Sequence, residues 1–335
     1  MTDIAQKEQL LRYLEEHKVF PSTKDLYLRY FTGGVSATVA LASDGSTTVI
    51  VKQALAQLKV ADTWECDQSR MIIEKEALDV YARLVPTATP APISYDAENY
   101  IMIREAAPED CPMWKTHLME GLLDFEVARA AIEALSTIHN GTAGDSKVAG
   151  TFADGSFFYS LRISPYIQRV VEKHPQLEDA SREVIDFLMG EKIALIHGDY
   201  SPKNILVDGR GICILDLEVA YYGHPCFDLA FFSNHFLLKT VKNKQYGGAY
   251  IEMLRYMLKI YFDRLTCLPR EKMESDTVRT LAFLFLARVD GKSPAEYITE
   301  EGDKEIIRRT AIQAIEEDVR TYEEFIALLE KNLGR

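Results

Sequence analysis

The spacing of apolar residues changes character about a third of the way along the chain. Leucines at positions 10, 11 and 14 lie among charged residues and predict a short amphipathic helix over residues 4–17. After it, short apolar and β-branched runs predict five strands, at residues 26–31, 37–41, 47–52 and, as a pair, within 93–103. Asp44-Gly45 supplies a hairpin turn, and a second helix is expected at residues 69–84. The pattern predicts a small β-rich lobe over residues 1–104.

Beyond residue 104, helical periodicity dominates the chain. Helices are predicted at residues 125–139 and 177–189, strands around a loop at 193–197 and 205–216, and helices almost throughout from about residue 227. This pattern predicts a larger, mainly helical lobe over residues 105–335, with a short crossing near residues 104–107. The expected fold class is therefore α+β, with two lobes.

Composition and charge exclude several classes of function. The chain has 335 residues, of which 47% are hydrophobic and 27% charged, as in a globular protein with room for two domains. The formal net charge of −13 argues against nucleic acid or an anionic membrane as a partner. The five cysteines form no zinc-type or disulfide pattern, and the sequence has neither a signal-peptide pattern nor an apolar run of about 20 residues. A cytoplasmic protein is expected.

The densest group of chemically useful residues lies in residues 195–218. An apolar strand leads into Asp199, Asn204 follows five residues later, and a second apolar strand ends on Asp216, with Glu218 two residues on. Either aspartate alone could be a turn residue at a strand end, but their spacing between two apolar strands argues against that interpretation. The group combines a carboxylate that can accept a proton with an amide and acids suited to a hard cation. Mg²⁺ carrying phosphates would offset the repulsion among the acids.

The motif His-Gly-Asp, with an asparagine five residues after the aspartate and an apolar strand ending in Asp-x-Glu, resembles the aminoglycoside phosphotransferase and choline kinase superfamily. Residues 222–230, Tyr-Gly-His-Pro-Cys-Phe-Asp-Leu-Ala, and the helix end Leu-Ser-Thr-Ile-His at 135–139 are similar to two further motifs of these enzymes. The resemblance implies a protein-kinase-like fold with an antiparallel-sheet N-terminal lobe. It also implies an ATP- and Mg²⁺-dependent kinase that phosphorylates a hydroxyl group of a small metabolite or antibiotic.

Roles for individual residues follow from the same resemblance. Asp199 matches the catalytic aspartate, which accepts the proton of the attacking hydroxyl, while Asn204 and Asp216 match ligands of Mg²⁺. Glu218 matches an acid near the metal, and Asp228 matches a buried aspartate that braces the catalytic loop. The residues expected to contact the nucleotide are Gly33, Gly34, Ser36, Lys52, Glu74, Arg104, Glu105 and Ala106.

The lysine at position 52 is expected to pair with a glutamate of the next helix. Glu74 is preferred to Glu76 because it precedes Leu78 by four residues and Tyr81 by seven, beside the apolar face. The segment at residues 104–106 is expected to present backbone groups to adenine.

The acceptor is left open by the sequence. Only twelve positions separate Asp216 from Asp228, which leaves no activation segment for a peptide acceptor. A secondary resemblance to methylthioribose kinases rests on residues 51–55 and on Trp64, ten residues before Glu74, although Lys203-Asn204 departs from their Gly-Ser. Equal numbers of acidic and basic residues in the last hundred positions argue mildly against a polycationic aminoglycoside. The candidate acceptor-binding residues are Tyr159, Arg162, Asn234, His235, Arg288 and Asp290.

The alternative from another functional class is a catalytically silent nucleotide-binding protein. The presence of Lys52, Asp199, Asn204 and Asp216 together argues against it.

Overall fold

The structure, a computed structural model, describes residues 2–31, 36–57, 67–107, 111–209 and 211–334. The chain divides into two compact units. The first contains Met1–Cys111 and, from later in the chain, Leu215–Glu218; the second contains Pro112–Ile214 and Val219–Arg335. Among the residues described, no helix combines the length and the apolar character needed to cross a bilayer.

The first unit is built on a five-stranded antiparallel sheet. Its strands, in the spatial order β1-β2-β3-β5-β4, are β1 (Tyr27–Tyr30), β2 (Ala37–Ser43), β3 (Thr48–Ala54), β4 (Pro92–Asp96) and β5 (Ile101–Glu105). The helices α1 (Lys7–Glu16) and α2 (Arg70–Leu84) complete it. The five strands and both helices predicted from the sequence are confirmed. In the β2–β3 turn, the Asp44 carboxylate accepts hydrogen bonds from the backbone of Ser46 and Thr47, and Gly45 has a φ of +90°.

The core of the first unit lies on one face of this sheet. The buried side of α1, which includes Leu10 and Leu14, packs with Val49 and Val51 of β3. Successive side chains of a strand point to opposite faces, so Lys52 points away from α1. This alternation determines which face of the sheet carries the lysine.

The second unit is mainly helical. Its helices are α3 (Trp114–Met119), α4 (Phe125–Thr142), α5 (Ser146–Thr151), α6 (Ser156–Phe158), α7 (Arg169–Lys173), α8 (Glu178–Gly190), α9 (Cys226–Lys242), α10 (Gly247–Arg264), α11 (Arg270–Asp290), α12 (Glu301–Glu316) and α13 (Tyr322–Asn332). A π-helical segment, Tyr159–Gln168, connects α6 and α7. The short strands are β6 (Ala194–Ile196), β7 (Ile205–Asp208), β8 (Gly211–Ile214) and β9 (Tyr221–Gly223). Almost every residue of α9 is buried, which makes α9 the centre of this unit.

Three details differ from the sequence expectation. Residues 205–214 form a hairpin of β7 and β8, and the second strand ends at Ile214, because Asp216 has a φ of +70°, which strand geometry does not allow. The strand β9, which pairs with β6, was not predicted. The π-helical segment, which contains Pro165, was also not predicted.

Candidate active site

The loop that carries Asp199 is anchored from beneath by a buried carboxylate. Asp228, in the first turn of α9, accepts hydrogen bonds from the backbone N–H of His197 at 2.6 Å and of Gly198 at 2.8 Å. The imidazole Nε2 of His139 lies 3.3 Å from the same carboxylate. Gly198 has a φ of +73°, and a Cβ there would lie 2.6 Å from the Val219 carbonyl oxygen. The loop backbone is therefore fixed in a conformation that favours glycine at position 198.

Asp199 lies in a dense set of polar contacts within the second unit. Its Oδ2 accepts a hydrogen bond from Asn204 Nδ2 at 2.8 Å and forms ion pairs with Arg162 at 3.2 Å and Lys203 at 2.9 Å. Asn204, at the end of a one-turn helix, also donates to the Asp199 carbonyl at 3.0 Å. Arg162 donates from Nε to the Gly198 carbonyl. The structure thus brings three of the predicted residues together, and the two cations stabilise the charge of the carboxylate.

A second group of charges lies within the first unit. Lys52 Nζ is 2.7 Å from Glu74 Oε2 and 2.7 Å from Asp216 Oδ1. Burial alone would lower the pKa of Lys52, but Asp216 and Glu74 outweigh it and raise that pKa above its ordinary value. Burial raises the pKa of Glu74 to about 7, because Lys52 offsets only part of that effect and the charges of Asp216 and Glu218 add to it. Glu76, the other candidate, contacts Lys75 at the surface.

Asp216, Glu74 and Glu218 form a cluster that could hold a hard cation. Each offers a carboxylate oxygen, and these oxygens lie within 4.8 Å of one another. Such an all-oxygen group, whose three carboxylates outnumber the two paired cations Lys52 and Arg70, suits Mg²⁺ or Ca²⁺. Asp216 holds its place with a left-handed backbone, a conformation that non-glycine residues seldom adopt outside functional or tightly constrained sites.

Arg70 is a buried residue of this site that the sequence did not reveal. Its guanidinium donates to Glu218 Oε2 at 3.2 Å and to the backbone carbonyls of Asp67, Ser36 and Leu55. Arg70 precedes Glu74 by four residues, so both lie on one face of α2. That spacing is the signal in the sequence from which Arg70 could have been found.

The remaining nucleotide candidates lie at the ends of strands of the same sheet or outside the described residues. Gly33, Gly34 and Trp64 lie outside the described residues. The backbone carbonyl of Ser36 accepts a hydrogen bond from the Leu55 N–H at 2.9 Å. At the end of β5, the Glu105 N–H donates to the Ala91 carbonyl, and the Arg104 side chain donates to the Glu105 carbonyl. Ala106 directly follows this strand.

The acceptor candidates do not all lie together. Arg288 donates to the Tyr166 hydroxyl at 3.2 Å, whereas Asp290, two residues on, binds Arg308 at 3.1 Å and His174 at 2.9 Å. Tyr159 is exposed, and its hydroxyl accepts from a nearby glutamine. Asn234 and His235 are buried in α9. Of the six candidates, Arg162 therefore contacts Asp199 directly, whereas Tyr159 and Asp290 bind other residues.

Comparison with known proteins identifies sequence and structural relatives. The sequence model of the phosphotransferase enzyme family matches residues 28–256, which is more than half of the chain. A methylthioribose kinase of Bacillus cereus is 24% identical over 261 residues, covering 70% of this chain and 66% of that relative. The match therefore spans slightly less than two thirds of the relative's length.

Two solved structures share the fold. A protein of Ralstonia eutropha JMP134, provisionally named an aminoglycoside phosphotransferase, matches with a TM-score of 0.54, 16% identity, and coverage of 93% of this chain and 98% of that one. An ethanolamine kinase of Plasmodium vivax matches with a TM-score of 0.53, 12% identity, and coverage of 100% and 90%. The expected fold class, with its antiparallel-sheet unit and mainly helical unit, is confirmed.

Proposed function

The chain belongs to the phosphotransferase enzyme family, and from that premise we propose that it is a small-molecule kinase that uses ATP and Mg²⁺ to phosphorylate a hydroxyl group. The observation that carries the proposal is the buried Asp199, held on a loop whose backbone is bound by Asp228. A carboxylate in such a fixed position can orient a hydroxyl group for attack.

Asp199 is assigned the role of the base. As the acceptor oxygen bonds to the γ-phosphorus, its proton passes to the Asp199 carboxylate, and the bond from that phosphorus to the bridging oxygen breaks, releasing ADP. Asn204 and Arg162 both contact Oδ2 and so orient the carboxylate. Lys203 reaches the same oxygen from an exposed position and can move aside when the acceptor binds.

The charged group of the first unit is assigned to the nucleotide. Lys52 would bind phosphate oxygens, with Glu74 holding its ammonium group in place. Asp216 and Glu218 would hold Mg²⁺, and the clustering of their oxygens with that of Glu74 supports this assignment. When bound, Mg²⁺ neutralises charge on the phosphates. The role of Asn204 as a metal ligand stays a prediction from the resemblance.

A methylthioribose-kinase-like activity is the second candidate. It is supported by the 24% identity to the Bacillus cereus enzyme, while the Lys203-Asn204 pair argues against it. In the resemblance to methylthioribose kinases, Arg308-Arg309 would match their paired substrate-binding arginines, but Arg308 binds Asp290 and Glu301. Methylthioribose therefore belongs in any panel of acceptors.

The test compares Asp199→Asn with the intact protein. We expect phosphoryl transfer to fall by about 10²- to 10⁴-fold, the usual contribution of a positioned base, while ATP binding is retained. ADP formation across hydroxyl acceptors and ATP affinity by calorimetry are the two measurements. Asp179→Asn, which removes an exposed carboxylate on α8, is the matched control. Parallel loss of ATP binding and turnover, or an undiminished rate, would overturn the role of Asp199.

A further inference from the structure

The second unit buries two cations for which the described residues provide no carboxylate in ion-pair contact. Lys239 of α9 is 0% exposed and Arg288 of α11 is 8% exposed. Lys239 Nζ donates to the His235 carbonyl at 3.2 Å, and Arg288 donates to Ser293 and to the Tyr166 hydroxyl. Within the described ranges, no carboxylate oxygen forms an ion pair with either side chain. An uncompensated buried charge is costly unless a ligand neutralises it.

Polar atoms beside these cations also lack partners. Arg288 Nε, His235 Nε2 and the Tyr297 hydroxyl are buried and have no hydrogen-bond partner among the described residues. His235 is 7% exposed, so it is more than nine-tenths buried. Two such polar groups beside the cations, together with the unpartnered Nε of Arg288 itself, are an unusual combination in a folded interior, and they indicate a binding site for a polar ligand.

These groups form one continuous surface that leads to Asp199. Phe231, His235 and Lys239 recur every four residues along one face of α9. At one end, the Arg162 guanidinium lies 5.7 Å from the centre of the Phe231 ring, and Arg162 is the ion-pair partner of Asp199. At the other end, the Tyr297 ring centre lies 5.5 Å from Lys239 Nζ.

Arg288 joins this surface through an aromatic residue. Its guanidinium contacts the Tyr166 hydroxyl, and the Tyr166 ring lies 5.9 Å from the Phe231 ring. Burial would raise the pKa of Tyr166, but Arg288 and Arg162 lower it below its ordinary value. The positive potential therefore extends along the surface from Arg162 to Arg288.

The charge balance of this surface is positive. Asp199 is already paired with Arg162 and Lys203, and the nearby Glu296 is paired with Lys115. Burial, reinforced by Lys115 and Arg288, lowers the pKa of Lys239 to about 7, and Glu296 offsets only part of this effect. An anion bound here would relieve the repulsion.

We propose that the acceptor carries a small oxyanion, a carboxylate or a phosphate, which binds Arg288 and Lys239 while its hydroxyl group lies at Asp199. This inference rests on the proposed kinase function and names its substrate class. A guanidinium presents the paired N–H donors that match either oxyanion. Arg288 and Lys239 repel a cationic acceptor such as an aminoglycoside or choline, which therefore fits this surface poorly.

The first arm of the test measures anion binding without turnover. Inorganic phosphate is titrated into the full chain while its melting temperature is recorded, for the intact protein, Arg288→Met, Lys239→Met and the control Arg182→Met, which removes an exposed arginine. We expect phosphate to raise the melting temperature of the intact protein and the control. Both site variants should lose most of this shift. A shift retained in both site variants, or absent from the intact protein, would overturn the proposal.

The second arm identifies the class of oxyanion by turnover. ADP formation is compared for glycerate, glyceramide, glycerol 3-phosphate, glycerol, homoserine, methylthioribose and choline. We expect an oxyanion-bearing acceptor to exceed its neutral counterpart, with KM raised about 10- to 100-fold in Lys239→Met and kcat changed little. Preference for glycerate or homoserine identifies a carboxylate, and preference for glycerol 3-phosphate identifies a phosphate.

The outcomes of the two arms separate this inference from the kinase proposal. Turnover of neutral or cationic acceptors alone would overturn the oxyanion assignment while leaving the kinase intact. Failure to bind ATP would overturn the kinase proposal, whatever the phosphate titration gives.

Discussion

Replacing Lys239 by methionine is expected to stabilise the folded protein although it removes a fully buried side chain. The ammonium group lies near Lys115 and Arg288, with the ring of Tyr297 and the carboxylate of Glu296 as its compensating neighbours. Methionine has a similar length and no charge, so it keeps the packing and removes the cost of a buried cation.

The size of the expected stabilisation follows from the pKa of Lys239. Burial lowers that pKa from 10.5 to about 7. Between these values the unfolded chain holds the proton and the folded chain releases it, so the stability of the intact protein rises with pH. The lysine therefore costs the folded state roughly 5 kcal/mol at pH 6 and roughly 2 kcal/mol at pH 9. The free energy of unfolding of Lys239→Met should exceed that of the intact protein by up to these amounts.

Urea unfolding at pH 6, 7.5 and 9 measures the effect. Trp114, which is fully buried in the second unit, reports its unfolding by fluorescence. The other titrating groups are common to both proteins, so the difference in free energy of unfolding reports Lys239 together with its effect on His235, whose pKa is lowered by burial and by Lys239. A difference that stays constant from pH 6 to 9 would refute the reasoning, since it would mean that the folded chain fully compensates the ammonium charge.

Two further substitutions test the loop and the first unit. Gly198→Ala should lower the free energy of unfolding by more than Gly144→Ala. Both glycines have a φ of +73°, a backbone strain that costs about 1–3 kcal/mol for alanine, but only at position 198 would a Cβ lie against a backbone oxygen. Equal losses of stability for the two variants in urea unfolding would contradict the predicted clash. Arg70→Lys should destabilise the first unit by about 3–5 kcal/mol, since a lysine ammonium cannot replace the guanidinium N–H groups that donate to Glu218 and to three backbone carbonyls. The exposed Arg83→Lys on the same helix is its control in thermal unfolding, and similar melting temperatures for the two variants would count against the role of Arg70.

Local pattern was sufficient to predict the elements of the first unit and the polar loop of the second. The alternation in β3 predicts which face Lys52 occupies, and the helical spacing of α2 distinguishes Glu74 from Glu76. Both are consequences of periodicity, which a single sequence displays.

Contacts between distant parts of the chain were not predictable in this way. Arg70 acquires its role from Glu218, 148 residues later; its spacing from Glu74 places it on the same face of α2 but does not reveal that partner. Arg288 and Asp290 lie two residues apart at the end of α11, but their partners lie on different elements. The three-residue strand β9 exists because β6 is available to pair with it, not because of its own length.

The division of the first unit between two stretches of sequence has a consequence for protein synthesis. Residues 1–111 leave the ribosome long before residues 215–218, which supply the carboxylates that pair with Lys52 and Arg70. Until then, a nascent first unit would have to bury Lys52 and Arg70 without the carboxylates of Asp216 and Glu218, with Glu74 beside Lys52 and backbone carbonyls around Arg70. A fragment truncated after Cys111 is therefore an incomplete folding unit, and a chimaera that exchanges the N-terminal part with a relative must exchange the four-residue segment as well.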